Sequence, residues 1–332
     1  MGRRSTLLLL CVGGLAGGYA IVGGSATALT EAAARAVQAD WRWTVVAVLF
    51  EALSFLSYVV LFRRVTAPAT ARIDLSASAQ ITFAGAAVTR LLPTAGVGGV
   101  ALTAWALRRA GLTRRTAVER IVAFLLLLYS VYMAALVLAG TALAAGLVAG
   151  GGPPLLTAGG ALVGGSVIAL ALLLALRAPA PESATMPPRA GRVRCTLAEA
   201  RRALHAGLPA VLALTRSRDP RLLGALGWWT FDFAVLWSTF QAFGAPAPMV
   251  AAIMAYFVGT LANTIPLPGA VSGSMIAVHV AFGLPLAVVV PAVLAYRAIA
   301  LWLPAAGGSF ALGRLRATVR RWDQEAKTVG RS

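Results

Sequence analysis

The stretch Asn263-Thr264-Ile265-Pro266-Leu267-Pro268-Gly269-Ala270-Val271-Ser272-Gly273 sets two prolines and two glycines inside sequence apolar enough to lie in a membrane. Proline removes a backbone donor and glycine weakens a helix. In hydrocarbon an unpaired backbone group is costly, so such a break persists only against protein or a water-filled cavity. A second break, Arg90-Leu91-Leu92-Pro93-Thr94-Ala95-Gly96-Val97-Gly98-Gly99, falls in the other half of the chain. Interrupted apolar segments in corresponding places of two halves point to a transporter-type binding site.

Composition agrees with a membrane setting. The 332 residues are 59% hydrophobic and 12% charged, with a mean hydropathy of +0.81. Soluble domains run at about 45–50% apolar and about 25% charged. The net charge of +18 does not point to nucleic acid, because 25 of the 29 basic residues fall in five clusters between or beyond apolar spans. These are Arg3–Arg4, Arg63–Arg72, Arg108–Arg120, Arg177–Arg221 and Arg314–Arg331. Such placement follows the positive-inside rule and makes those segments cytoplasmic. Cys11 lies in an apolar span and Cys195 in a basic loop, so no disulfide framework is implied.

In chain order, Ser5 to Gly24 is a first span, also similar to a signal peptide, with small residues at Ser25-Ala26-Thr27-Ala28. Trp43 to Phe62 crosses inward. Residues 76–107 begin and end beside basic clusters and are too short for two crossings of about 20 residues each, so they are expected to form a re-entrant hairpin. Ile121 to Leu143 crosses outward, Leu155 to Leu176 inward, Leu222 to Phe243 outward and Leu286 to Gly307 inward. Between them lie a basic cytoplasmic loop at 177–221 and a second re-entrant hairpin at 249–282. In the loop, Thr196-Leu197-Ala198-Glu199 is expected to cap a surface helix from Leu197 to about Thr215. The expected fold is an all-α polytopic membrane protein of about six full spans and two Pro/Gly-tipped re-entrant hairpins. Its units are a first membrane half at 1–143, a second of inverted topology at 144–307 and a basic tail at 308–332.

Glu51, Arg90, Asp232 and Arg297 are ionisable residues inside predicted membrane segments. Each costs roughly 2.5–3.5 kcal/mol at that depth, so each should face the bundle interior with a partner. Glu51 and Asp232 occupy the second span of their respective halves and would look into one central cavity. The functional expectation makes them proton- or cation-coupled carboxylates, with Arg90 and Arg297 holding an anionic headgroup. The alternative is a pair of buried ion pairs that only fix packing. His279 is a candidate proton relay, and Asn263 a donor for freed backbone groups or substrate. The sequence holds no H-E-x-x-H, P-loop or CxxC motif, so the expectation is a protein that is not an enzyme and uses no cofactor or metal.

Pro93-Thr94-Ala95-Gly96-Val97-Gly98-Gly99 with Trp105-Ala106-Leu107-Arg108-Arg109-Ala110-Gly111, then Asn263-Thr264-Ile265-Pro266-Leu267-Pro268-Gly269, Tyr296-Arg297 and Trp302-Leu303-Pro304, carry a family likeness. They resemble the transmembrane region of lysylphosphatidylglycerol synthase and its stand-alone flippase-like relatives. The resemblance implies translocation of a lipid or lipid-linked headgroup, with the hairpin tips and Tyr296-Arg297 near the path. Synthase members carry a cytoplasmic aminoacyltransferase domain after the membrane region. This sequence ends at Ser332, so the expectation is a member that does not itself make the aminoacyl lipid. The family's second motif usually runs Pro-Gly-Gly-x-Gly-Gly-x-Glu, whereas here Ala270, Ser272 and Met275 intervene, Met275 at the acidic position.

The expected substrate path thus comprises Glu51, Arg90, Pro93, Gly96, Gly98, Gly99, Asp232, Asn263, Pro266, Pro268, Gly269, Gly273, Tyr296 and Arg297. The expected setting is a bacterial cytoplasmic membrane, with the C-terminus cytoplasmic. Expected partners are membrane lipids and a separately encoded lipid-modifying enzyme, not nucleic acid, with homo-oligomerisation left open. Two other readings are a non-transporting subunit for lipid-linked glycan or envelope synthesis and a small-solute transporter.

Overall fold

The computed structural model describes residues 39–91, 96–148, 152–177, 192–244, 248–264 and 269–329, without the side chains of 192–197, 326, 327 and 329. The expected first span Ser5 to Gly24, Cys11, Pro93, Pro266, Pro268 and the proline-rich 178–191 lie outside the described residues.

Every regular element among the described residues is helical. In chain order they are α1 (Trp41–Thr66), α2 (Leu75–Leu91), α3 (Val97–Arg109), α4 (Arg114–Ala144), α5 (Pro154–Leu176) and α6 (Arg192–Arg216). There follow α7 (Gly224–Ala242), α8 (Met249–Leu261), α9 (Ala270–Ala281), α10 (Leu286–Arg297), a π-helical turn (Ala298–Trp302) and α11 (Leu303–Val329). Local chemistry sets several starts. The Asp40 carboxylate caps α1 through the Arg42 amide, Asp74 accepts from the Ala77 amide at 2.7 Å, and Thr113 accepts from the Thr116 amide at the head of α4.

Four stretches are long and apolar enough to cross a bilayer: Trp41–Ala69, Arg114–Ala144, Pro154–Leu176 and Leu286–Glu325. With the shorter apolar helices α8 and α9, they make this a multi-pass membrane protein. The expected span at Leu222 to Phe243 is the 19-residue α7, which is not among those four. Its Asp232 and paired tryptophans face contacts inside the fold. α5 is the opposite case: Thr157, Gly160 and Gly164 are its buried residues, and Leu155, Leu162, Leu172 and Leu176 stay exposed. Small residues let it approach α4 closely, since a Cβ on Gly140 would stand 2.6 Å from the Thr157 carbonyl oxygen.

Two boundaries differ from expectation. α6 begins at Arg192 rather than Leu197, so Thr196 and Glu199 lie within the helix and not at its cap. Arg192 and Arg194 are good helix formers and neither Gly nor Pro stands between Arg192 and Thr196, so the helix extends back past the capping residues. α11 runs unbroken through Gly307 to Val329, so the basic tail continues the last helix. Leu315, Val319 and Trp322 form a buried stripe at helical spacing along it.

The arrangement centres on α1 and α7, packed antiparallel. The Asp40 amide donates to the Ala242 carbonyl at one end (3.0 Å), and Arg64 pairs with Asp219 at the other (2.6 Å). The helices nearly touch, because a Cβ on Gly224 would stand 2.5 Å from the Ser57 carbonyl oxygen. α2 lies along α11, joined where Thr318 donates to Gln80 at 2.9 Å. In the matching contact α8 lies against α4, where the Tyr132 hydroxyl donates to the Phe257 carbonyl at 2.6 Å.

The arginines gather at one end of this bundle. Arg72 reaches Glu325 at 3.8 Å, Arg109 reaches Asp323 at 3.2 Å and Arg120 donates to the Val65 carbonyl at 3.4 Å. The α2–α3 hairpin opens toward that end, where Thr70 Oγ1 donates to the Ala110 carbonyl at 3.2 Å. The α8–α9 hairpin has its open end away from the arginines, with Phe282 against Gly152.

Candidate functional site

The site forms where α1 meets α7. Glu51 lies on the α7-facing side of α1 and is 1% exposed; Asp232 answers it from α7 and is 6% exposed. The two carboxyls stand within hydrogen-bonding reach of one another. They occupy a packed interface, not opposite walls of an open chamber.

Arg90 enters from α2, one residue before that helix ends. Its Nη1 reaches Glu51 Oε1 at 3.3 Å and also donates to the Ala300 carbonyl in the π-helical turn. The local sequence explains this second bond. Ala300 stands four residues before Pro304, which has no N–H, so its carbonyl lacks the usual α-helical donor. The guanidinium also lies over the rings of Phe55 and Trp228, at 5.2 and 5.9 Å from their centroids. Such contacts favour arginine over lysine. Ser54 fixes the neighbouring turn by donating to the Trp228 carbonyl at 3.0 Å.

Asp232 is held by tyrosines from two other elements. The hydroxyls of Tyr256 on α8 and Tyr296 on α10 both donate to its Oδ2, the latter at 2.9 Å. Arg297, half-buried at the end of α10, brings a second positive charge within electrostatic reach of Asp232, Tyr256 and Arg90. One carboxylate oxygen on each acid, Glu51 Oε2 and Asp232 Oδ1, is buried without a hydrogen-bond partner among the described residues.

The four ionisable residues marked by the sequence thus come together, with Tyr296, from four helices. The break residues play other parts. Gly96 and Gly269 each precede the second helix of a hairpin with positive φ, 85° and 82°, a conformation that glycine adopts without strain. Gly98 and Gly99 lie in the first turn of α3, where Gly99 permits a close approach: a Cβ there would stand 2.7 Å from the Gly85 carbonyl oxygen. Gly273 lies in the first turn of α9, its amide bonded to the Gly269 carbonyl at 2.8 Å. Asn263 is exposed in the 3-10 turn Ala262–Thr264, apart from the carboxyl cluster. Pro93, Pro266 and Pro268 lie outside the described residues.

Met275, at the position where the resemblance leads one to expect an acid, is fully buried in α9 against Gly259 of α8. His279, 1% exposed, lies against the Phe240 ring with Nδ1 2.7 Å from the Met275 carbonyl. The sequence reading missed Tyr256 and the Ala300 carbonyl. Only the carbonyl had a legible signal, in Pro304.

Outside the membrane-like core, Arg63, Arg64 and Arg221 surround Asp219 in a cleft at the basic end. The Arg221 amide and the neighbouring guanidinium groups hold the Asp219 carboxyl below its ordinary range.

No curated protein matches this chain. The family described as Lysylphosphatidylglycerol synthase TM region matches residues 8–308, and the chain belongs to that family.

Proposed function

We propose that this protein moves a lipid or lipid-linked anionic headgroup between the leaflets of a bacterial cytoplasmic membrane without altering it chemically. The observation that carries the reading is the convergence of Arg90 and Arg297 on the Glu51–Asp232 contact, deep in the helical bundle and beside the first break. Charged groups at such depth mark substrate or ion pathways. An anionic headgroup would exchange with Glu51 for Arg90 while the acyl tails stay in lipid.

The same reading takes 1–143 and 144–307 as two halves of inverted topology, each with one re-entrant hairpin. Its support is the correspondence of contacts: α1 pairs with α7, α2 with α11 and α8 with α4. The clustering of arginines at one end supports a cytoplasmic location for that end, and α11 runs to it. Partners on this reading are membrane lipids and a separately encoded lipid-modifying enzyme.

A second reading is a non-transporting subunit for lipid-linked glycan or envelope synthesis. The observation favouring it is Met275, apolar and packed on Gly259. Reconstitution into phosphatidylcholine vesicles containing labelled phosphatidylglycerol separates the two. Transport predicts protein-dependent exchange between leaflets that Arg90→Ala and Arg297→Ala each reduce at least tenfold, the loss produced by about 1.4 kcal/mol. Exchange equal to that of empty vesicles overturns transport and favours the subunit.

A further inference from the structure

Each carboxyl of the central pair has one satisfied oxygen and one orphan. Glu51 Oε1 accepts from Arg90, and Asp232 Oδ2 accepts from Tyr256 and Tyr296. Glu51 Oε2 and Asp232 Oδ1 are buried and receive nothing among the described residues, although the carboxyls stand within reach of one another. Ionised carboxylates only accept hydrogen bonds, so two of them together would set acceptor against acceptor. They would also repel in a medium that screens charge poorly. A proton between them converts that repulsion into a hydrogen bond.

The surrounding groups do not supply the missing donor. From α2, Arg90 is committed to Oε1 and the Ala300 carbonyl; from α8 and α10, both tyrosine hydroxyls are directed at Oδ2. Arg297 of α10 makes no ion pair within 4 Å among the described residues. On α1 itself Tyr58 packs on Trp228 and Phe124. On α4, Tyr129 and Tyr132 pack on Trp229. With two arginines and two carboxyls, the cluster is formally neutral without a shared proton and carries one positive charge with it.

We propose that Glu51 and Asp232 hold a single proton between them and that the cluster, positive by one charge, binds a phosphodiester monoanion together with that proton. This rests on the headgroup-translocation reading and adds the co-bound ion. The only covalent change is an O–H bond, made with a proton taken from water and broken as the proton returns to water; a bound anion shifts that balance toward the protonated pair.

The test uses the full chain in phosphatidylcholine nanodiscs, followed by infrared difference spectroscopy across a pH series in H2O and D2O. Asp and Glu together number 11, so the carboxyl background is small. The expected result is a carboxylic-acid band at neutral pH that is lost completely in Glu51→Gln and completely in Asp232→Asn. In the unsubstituted protein, raising the pH removes it in one step, a measurement that does not depend on how either variant folds. Phosphatidylglycerol nanodiscs move that step to higher pH, and by reciprocity acidification tightens phosphatidylglycerol binding, by roughly tenfold. The proposal is overturned by absence of the band at neutral pH, by a band that survives either substitution, or by a step indifferent to phosphatidylglycerol. It is also overturned if sodium ions stabilise the protein through these two residues while acidification does not. Leaflet exchange without the band defeats this inference alone; the band without exchange defeats transport and leaves the proton and anion site standing.

Discussion

The two helical hairpins share a backbone plan and differ in what they carry. Each sets its second helix after a glycine of positive φ, Gly96 or Gly269, and each lets its arms approach through a glycine, Gly99 beside Gly85 or Gly259 beside Met275. The first hairpin delivers a cation: Arg90 ends its first arm and bonds to both α1 and the π-helical turn. The second delivers one neutral hydroxyl, from Tyr256, and seals its arms with a buried thioether. A common scaffold therefore does not impose a common role, and in this chain the charged contact is loaded onto one side.

Substitutions test that asymmetry directly. Arg90→Ala removes the cation from a pair whose acid is almost wholly buried and strands the Ala300 carbonyl. Thermal or denaturant unfolding in nanodiscs is expected to show a loss of about 3–5 kcal/mol, and an unchanged midpoint would mean that the first hairpin is no more charged in function than the second. Met275→Glu, which gives the second hairpin the acid it lacks, is expected to cost about 2.5–3.5 kcal/mol because the carboxylate enters a packed apolar seam. Met275→Leu, measured alongside, should stay within about 1.5 kcal/mol. A stable Met275→Glu protein would show that the second hairpin retains a place for charge. Tyr256→Phe leaves Asp232 with Tyr296 as its hydroxyl donor and should cost about 1.5–3 kcal/mol, with a parallel loss of leaflet exchange if the donor matters to function.

The smallest effect belongs to Asp219, in the cleft at the basic end. A carboxyl held below its ordinary range in the folded state adds stability above its unfolded pKa and loses it as pH falls through the folded value. Asp219→Asn should therefore flatten the acid limb of the stability profile slightly and leave neutral-pH exchange unchanged. A change in exchange would connect the basic-end cleft to the pathway.

Much of the site was legible because hydrocarbon makes charge conspicuous. Glu51, Arg90, Asp232 and Arg297 stand out for cost alone, and the two breaks divide apolar segments where helices do end. What sequence did not reveal is which groups meet. Nothing in the spacing pairs Arg90 with Glu51, and Tyr256 looks like any other apolar-helix tyrosine until α8 sets its hydroxyl against α7. The Ala300 carbonyl is a backbone atom, visible only to someone asking what Pro304 fails to donate. Helix ends were least legible: propensity carried α6 back to Arg192, and a buried stripe carried α11 on to Val329.

The long final helix has a mechanical corollary. It fastens to α2 near the tip through the Ala300 carbonyl just before it, midway where Gly308 leaves no room for a Cβ beside Phe83, and again through Gln80 and Thr318. At the foot, Glu325 and Asp323 grip the flanks of the same hairpin at Arg72 and Arg109. Arm and final helix thus form one girder tied along its length. On the proposed transport reading, rocking that carries cargo across the bilayer would swing this girder as a unit, with Arg90 riding on it as a fixed hook and not as a free-swinging tether.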